Sequence, residues 1–246
     1  MSSTEPRVVH RDAQLLVVEK PSGLATTAPD SGDCLVRRVE RLDPDAPRLH
    51  PTSRLDAGVS GLLTFARTKE ATEALAAARR SGDYGRLYLG LAQGVPGARE
   101  GRWEYGIGID PADSRKRLAD VGKASKTAAT RYRVAEVAAD MSLLELRPET
   151  GRTHQLRVHA QAAGFPLLGD RSYGGPARVV LPDGRVISVR RVMLHCAALC
   201  LPNVAEGGML CLEAPVPEDF QRVWSALGGA ESALLLKPGA GARPRP

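Results

Sequence analysis

The apolar positions of this chain fall into short runs separated by glycine, proline and small polar residues. QLLVVEK (14–20) is an apolar run closed by two charges and reads as a buried strand. PSGLATTAPDSGD follows as a loop punctuated by proline and glycine. CLVRRVERL (34–42) spaces its apolar residues at helical intervals, with Asp33 placed to cap it. GLLTFAR (61–67) predicts a strand. Thr68 is placed to cap the alanine-rich TKEATEALAAARR, which Ser81-Gly82 ends. GRLYLGLAQG (85–94) predicts a further strand, and TAATRYRVAEV with MSLLELRPE predicts a strand pair. RTHQLRVHAQAAG (152–164) sets Leu156, Ala160 and Ala163 on a helical stripe, with Thr153 as cap and Gly164 as left-handed end. VVLPDGRVIS (179–188) predicts a hairpin around Pro-Asp-Gly.

Strands outnumber helices, no strict βαβ rhythm appears, and there is no internal repeat or linker. The expected fold is a single α+β domain. The first residues, 1–7, are polar and expected to be frayed. The last stretch, KPGAGARPRP, lacks apolar residues, and a disordered tail is expected over 231–246.

Composition narrows the class. The chain has 246 residues, 43% hydrophobic and 25% charged, enough for a sizeable core. There are 34 Lys and Arg against 28 Asp and Glu, a net charge of +6 that tilts the chain towards polyanionic partners. Cys34, Cys196, Cys200 and Cys211 form no C-x-x-C pair, so zinc spacing is absent, and Cys196 and Cys200 read as buried thiols in an apolar run. No segment has the pattern of a signal peptide or a membrane span, which makes a reducing cytoplasm the default.

Three places carry candidate chemistry. In HPTSRLDAGVSG (50–61), Asp56 is a lone acid. It reads either as a turn residue closing a bend or as a catalytic carboxylate to which Gly58, Ser60 and Gly61 give close access. In GRTHQLRVH, Gln155 and His159 share one helix face, and His154 and Arg157 share another. The two histidines are five apart and H-E-x-x-H is absent, so a metal site is set aside. Arg152 and Arg157 form either a solvated basic face or a fork for a carboxylate or phosphate. Tyr88 lies in an aliphatic strand, as a core tyrosine or as a platform for one base. Aromatics are only 4% of the chain, which excludes a broad stacking surface.

Each signal is weak alone, but their order is specific. SRLDAGVSGLLTFART, GRLYLGLAQG, ETGRTHQLRVHAQAAGFPLLGDRSYGG and MLHCAALCLPN together resemble the RluA-type family of RNA pseudouridine synthases. VVHRDAQLLVVEKPSGL resembles that family's opening strand and its Lys-Pro-x-Gly-Leu loop, and GKASKTAATRYRV and EAPVPEDF extend the likeness. The resemblance implies a catalytic domain over 8–230 with a mixed, mainly antiparallel central sheet flanked by helices. It places the essential aspartate at Asp56, the active-site tyrosine at Tyr88, the basic partner of the aspartate at Arg157, and the arginine that displaces the target base at Arg54. Arg152, His154 and Gln155 are then substrate contacts, with Arg86, Lys123 and Lys126 as further groove cations.

The implied reaction isomerises uridine to pseudouridine, so neither cofactor nor metal is expected. The implied partner is ribosomal or transfer RNA, met by a monomer. The block begins near the N-terminus, so the S4 domain of many relatives is not expected. The family pattern His-Arg-Leu-Asp-Arg-x-Thr-Ser-Gly is altered, with Ser53 for the histidine and Ala57-Gly58-Val59 for Arg-x-Thr. That alteration keeps a second reading open, a non-catalytic RNA-binding protein or RNA chaperone. A retained acid facing a polyanion argues against it. A metal-dependent nuclease would need clustered acidic ligands around Asp56, and the sequence has none there.

Overall fold

The structure, a computed structural model, describes residues 5–28, 32–44, 49–121 and 123–236, with Lys123 described in its backbone only. These gather into two units. One holds the chain up to Leu87 with His195–Pro217 and Leu236; the other holds Tyr88–Leu194 and Glu218–Leu235. The chain passes between the units four times, which is why no linker is legible in the sequence.

The first unit opens with β1 (Arg7–Arg11) and β2 (Leu15–Lys20), an antiparallel hairpin. Asp12 makes the turn, its carboxylate accepting from the backbone N–H groups of Gln14 and Leu15, both at 2.7 Å. Next come α1 (Leu35–Leu42), the two-residue β3 (His50–Pro51), β4 (Ser60–Ala66) and α2 (Lys69–Ser81). All seven residues of β4 are buried, as its apolar sequence requires. β2 and β3 both run antiparallel to β4. Helix α2 buries Ala71, Leu75 and Ala78. Thr68 caps it by accepting from Ala71 N–H at 3.1 Å, and Gly82 ends it at φ 93°. Thr68→Ala should therefore cost about 1 kcal/mol of stability, read from a denaturant midpoint.

The second unit contains β5 (Gly85–Gln93) from Tyr88 onward, β6 (Glu100–Glu104), β7 (Ile107–Ile109), β8 (Arg117–Ala119), β9 (Lys123–Lys126), β10 (Ala129–Ala138) and β11 (Met141–Pro148). The order β5-β11-β10-β6 is antiparallel throughout, and Trp103 stacks on Tyr132 at 4.7 Å between ring centroids. β8-β7-β9 is a separate small sheet. Helix α3 (Gln155–Ala162) follows, with Val158 and Tyr173 packed against Ile107 and Ala128. β12 (Arg178–Val180) and β13 (Val186–Ser188) pair as the hairpin expected around Pro-Asp-Gly. The chain then returns to the first unit through β14 (Leu194–Pro202) and β15 (Met209–Glu213). β14 lies parallel to β4 and antiparallel to β15. In the second unit, α4 (Glu218–Ala226) buries Phe220, Val223 and Trp224, and Arg191 grips Asp219 at its start. The result is an α+β fold with mixed, mainly antiparallel pairing.

Several local expectations need correction. Asp33 does not cap α1; Cys34 holds that position without a side-chain bond, and Asp33 pairs with Arg38 instead. The first N–H groups of α1 donate to carbonyls of the 21–28 loop, Leu35 to Ala25 at 2.8 Å and Val36 to Thr26 at 3.2 Å. Thr153 does not cap α3; His154 does, at φ 59°. Gly164 is left-handed as expected, at φ 87°. Cys200 is not a thiol: it is bonded to Cys211, directly opposite it on β15, whereas Cys34 and Cys196 are free and buried. β1 starts inside the stretch expected to be frayed, at Arg7. Glu231–Leu234 forms a 3-10 turn with Leu234 buried, so ordered chain extends beyond residue 231. Residues 1–4 and 237–246 lie outside the described residues.

Candidate active site

Asp56 stands at the head of a turn: its carbonyl accepts from Val59 N–H at 3.0 Å. The local reading as a turn acid is therefore correct, and it does not exclude a chemical role. The backbone on both sides of Asp56, at Leu55 and at Ala57 and Gly58, is held by the end of β2 and the loop after it. Thr26 Oγ1 donates to Leu55 O at 2.7 Å and accepts from Leu55 N–H at 3.0 Å. Ala57 O accepts from Gly23 N–H at 2.7 Å and from Lys20 Nζ at 3.2 Å. Gly58 O accepts from Ser22 Oγ at 2.9 Å. Lys20 is fully buried, and its ammonium also donates to Pro21 O and Leu24 O, at 2.8 and 2.7 Å. Three carbonyls thus meet its three N–H bonds, which makes a buried ammonium tolerable.

Two of the small residues after Asp56, Ser60 and Gly61, have a structural purpose beside the substrate access expected of them. Ser60 is buried, its hydroxyl 3.0 Å from His195 Nδ1. Gly61, at φ 112°, lets the β14 backbone pass: a Cβ there would meet Cys196 O at 2.2 Å. Packing of β14 on β4 dictates both residues. Arg54 is exposed, two residues before Asp56.

In the second unit, Arg157 has a partner the sequence reading did not name. Its Nε and Nη2 donate to the two carboxylate oxygens of Asp170, at 2.7 and 2.8 Å. The pair is nearly dry, with side-chain exposures of 12% and 1%. Such a fork fixes both position and plane of the guanidinium. Arg157 also lies over the Tyr173 ring, 4.8 Å from its centroid. His154 reaches the same tyrosine, Nδ1 to hydroxyl, at 2.7 Å, and that hydroxyl accepts from Arg117 N–H at 3.0 Å. The shared helix face expected for His154 and Arg157 is thus a shared contact with Tyr173.

Gln155 is a scaffold residue rather than the substrate contact expected. Its Nε2 donates to Ala129 O and Thr130 Oγ1, at 2.9 and 3.0 Å. Its Oε1 accepts from Thr150 Oγ1 and Arg152 N–H, at 2.6 and 3.0 Å. Both amide protons and both lone pairs are used inside the protein. His159 is structural as well. It is buried, and Nε2 donates to Tyr105 O at 3.1 Å; burial holds its pKa below the ordinary histidine value. Tyr88 is buried on β5, opposite Leu146. Arg152 and Lys126 are exposed, and Arg152 Nε donates to Thr127 O at 3.2 Å. Among the described residues, no three His, Cys, Asp or Glu side chains are grouped to hold a metal ion, and no helix is long and apolar enough to cross a membrane.

Residues 14–162 match the model of the RNA pseudouridylate synthase family. The chain is 34% identical over 213 residues to the dual-specificity RNA pseudouridine synthase RluA of Escherichia coli K12, covering 85% of this chain and 92% of that protein. It is 37% identical over 193 residues to the chloroplastic RNA pseudouridine synthase 2 of rice, covering 71% of this chain but only 43% of that longer protein. Among solved structures, human RNA pseudouridylate synthase domain containing 4 superposes with a TM-score of 0.72 at 24% identity, over 90% of this chain and 93% of that one, a likeness of fold. With a family match that takes in Asp56, Tyr88 and Arg157, and a near full-length bacterial relative, the chain belongs to the RNA pseudouridylate synthase family, as a member of its RluA type.

Proposed function

We propose that this chain converts specific uridines to pseudouridine in structured RNA, ribosomal or transfer, acting as a cytoplasmic monomer whose catalytic domain is residues 8–230. Asp56 is the essential carboxylate. Tyr88 stacks on the target uracil, Arg157 is the basic residue of the site, and Arg54 fills the space that the displaced base leaves. In the reaction the N1–C1′ bond breaks, the ring turns, and C5 bonds to C1′. C5 loses a proton and N1 gains one, so the balance closes without oxidant, reductant or water. The target must first leave its stack, at a cost of a few kcal/mol.

The observation that carries this reading is the pinning of the backbone on either side of Asp56, at Leu55 and at Ala57. Chemistry by a carboxylate at a sugar or base carbon demands such fixity. Arg54, Arg152, His154 and Lys126 supply RNA contacts, and those to phosphate make binding weaken as salt rises.

The test is a pseudouridine map of total RNA from cells with and without the gene, followed by the purified protein on the candidate RNA. Loss of one or a few defined pseudouridines, regained in vitro with the wild-type protein, is the expected result. An unchanged map with salt-sensitive RNA binding would overturn the reading in favour of a non-catalytic binder.

A further inference from the structure

We propose that Thr26 is a positioning residue for the Asp56 carboxylate, acting through the backbone of Leu55; the proposal rests on the role given to Asp56 above. Thr26 is 3% exposed and lies 29 residues before Leu55 in the chain. Its single hydroxyl engages both polar backbone groups of Leu55, as donor to the carbonyl and as acceptor from the N–H. The carbonyl of Leu55 belongs to the peptide group that leads into Asp56, so Thr26 sets the plane from which the Asp56 side chain departs. Thr26 is anchored in turn, because its own carbonyl accepts from Val36 N–H in the first turn of α1. On the far side of Asp56, Lys20, Gly23 and Ser22 hold the carbonyls of Ala57 and Gly58. Lys20 and Gly23 share one acceptor there, so either can stand in for the other. Thr26 has no such understudy among the described residues: it supplies both bonds to Leu55.

A reacting carboxylate displaced by a fraction of an ångström loses rate without losing substrate affinity. Thr26→Val keeps the shape and removes both bonds, whereas Thr26→Ser keeps the hydroxyl. Single-turnover and steady-state kinetics on the identified RNA should show kcat falling by about 10- to 100-fold in Thr26→Val with KM within about twofold. Thr26→Ser should recover kcat to within about threefold of wild type. Both variants are assayed well below their melting temperatures, and Asp56→Asn runs beside them. A folded Thr26→Val enzyme with wild-type kcat, beside an inactive Asp56→Asn, would overturn the Thr26 proposal alone. Equal losses in the valine and serine variants, or a rise in KM that accounts for the whole effect, would overturn it too. An active Asp56→Asn would overturn the role of Asp56 and this proposal with it. If Thr26→Val does not fold, Thr26→Cys takes its place, since a thiol fits the site but bonds weakly, and it must show the same loss confined to kcat.

Discussion

Asp56→Asn is expected to abolish pseudouridine formation while leaving the fold and the RNA affinity in place. Asparagine matches aspartate in size and is equally at home at the head of a turn, so the bond from Val59 N–H to the residue 56 carbonyl should persist. The grips on Leu55, Ala57 and Gly58 involve only backbone atoms of that segment and should persist as well. What the amide lacks is negative charge, and with it the capacity to attack carbon or to take a proton. We expect turnover to fall by at least about 10³-fold, with stability changed by less than about 1 kcal/mol. Release of tritium from RNA labelled at uridine C5 follows the reaction directly, because that position loses its hydrogen. Turnover within tenfold of wild type would end the assignment of Asp56. An inactive variant that had also lost its cooperative melting transition would demonstrate only unfolding, so the melting curve belongs in the same experiment.

Gly61→Ala should be the most damaging of the small substitutions near the site, for a reason unrelated to chemistry. Its φ of 112° already disfavours any side chain, and the new Cβ would fall 2.2, 2.6 and 2.7 Å from the O, N and C atoms of Cys196. All three are backbone atoms and cannot swing aside. The parallel register that pairs Ser60 with His195 and Gly61 with Cys196 would have to open. Backbone strain of about 1–3 kcal/mol and overpacking of about the same size together predict a loss of about 4 kcal/mol. Gly82→Ala provides the comparison, since φ is 93° there but nothing lies within 4 Å of the added Cβ. That variant should lose only about 1 kcal/mol. Urea midpoints for the two would separate strain from collision, and equal losses would mean that the close approach of β14 is not what selects glycine at position 61.

What the sequence makes legible, and what it hides, follows from distance along the chain. Both ends of α2 can be read, because Thr68 and Gly82 act on residues within one turn of themselves. β4 can be read because a strand buried on both faces is largely apolar, here with Gly61, Leu62, Leu63, Phe65 and Ala66. The β12–β13 hairpin can be read because Pro-Asp-Gly is local turn chemistry. The cap of α1 cannot, since its N–H groups are taken by carbonyls of a preceding loop that folds back upon it. The partner of Arg157 lies 13 residues away, and the grips on the Asp56 segment come from 29 to 37 residues away. No periodicity encodes those meetings. Gln155 is a case of the same kind: its helical position is visible in the sequence, but the strand groups that satisfy its amide are not. Nor can the pairing of β15 with β14 and the bond from Cys200 to Cys211 be read, because a mostly apolar five-residue run does not name the strand it pairs with.

The end of β2 and the loop after it hold the Asp56 segment by that segment's own main-chain atoms, and this bears on how such an enzyme can diversify. Neither Ala57 nor Gly58 contributes a side chain to the grip, Ala57 is exposed, and Gly58 does not adopt a positive φ. A segment with Arg-x-Thr after the aspartate and this chain's Ala57-Gly58-Val59 could therefore be held alike. Residues 57 and 58 become free parameters. They can vary while the backbone that carries Asp56 stays where it is held.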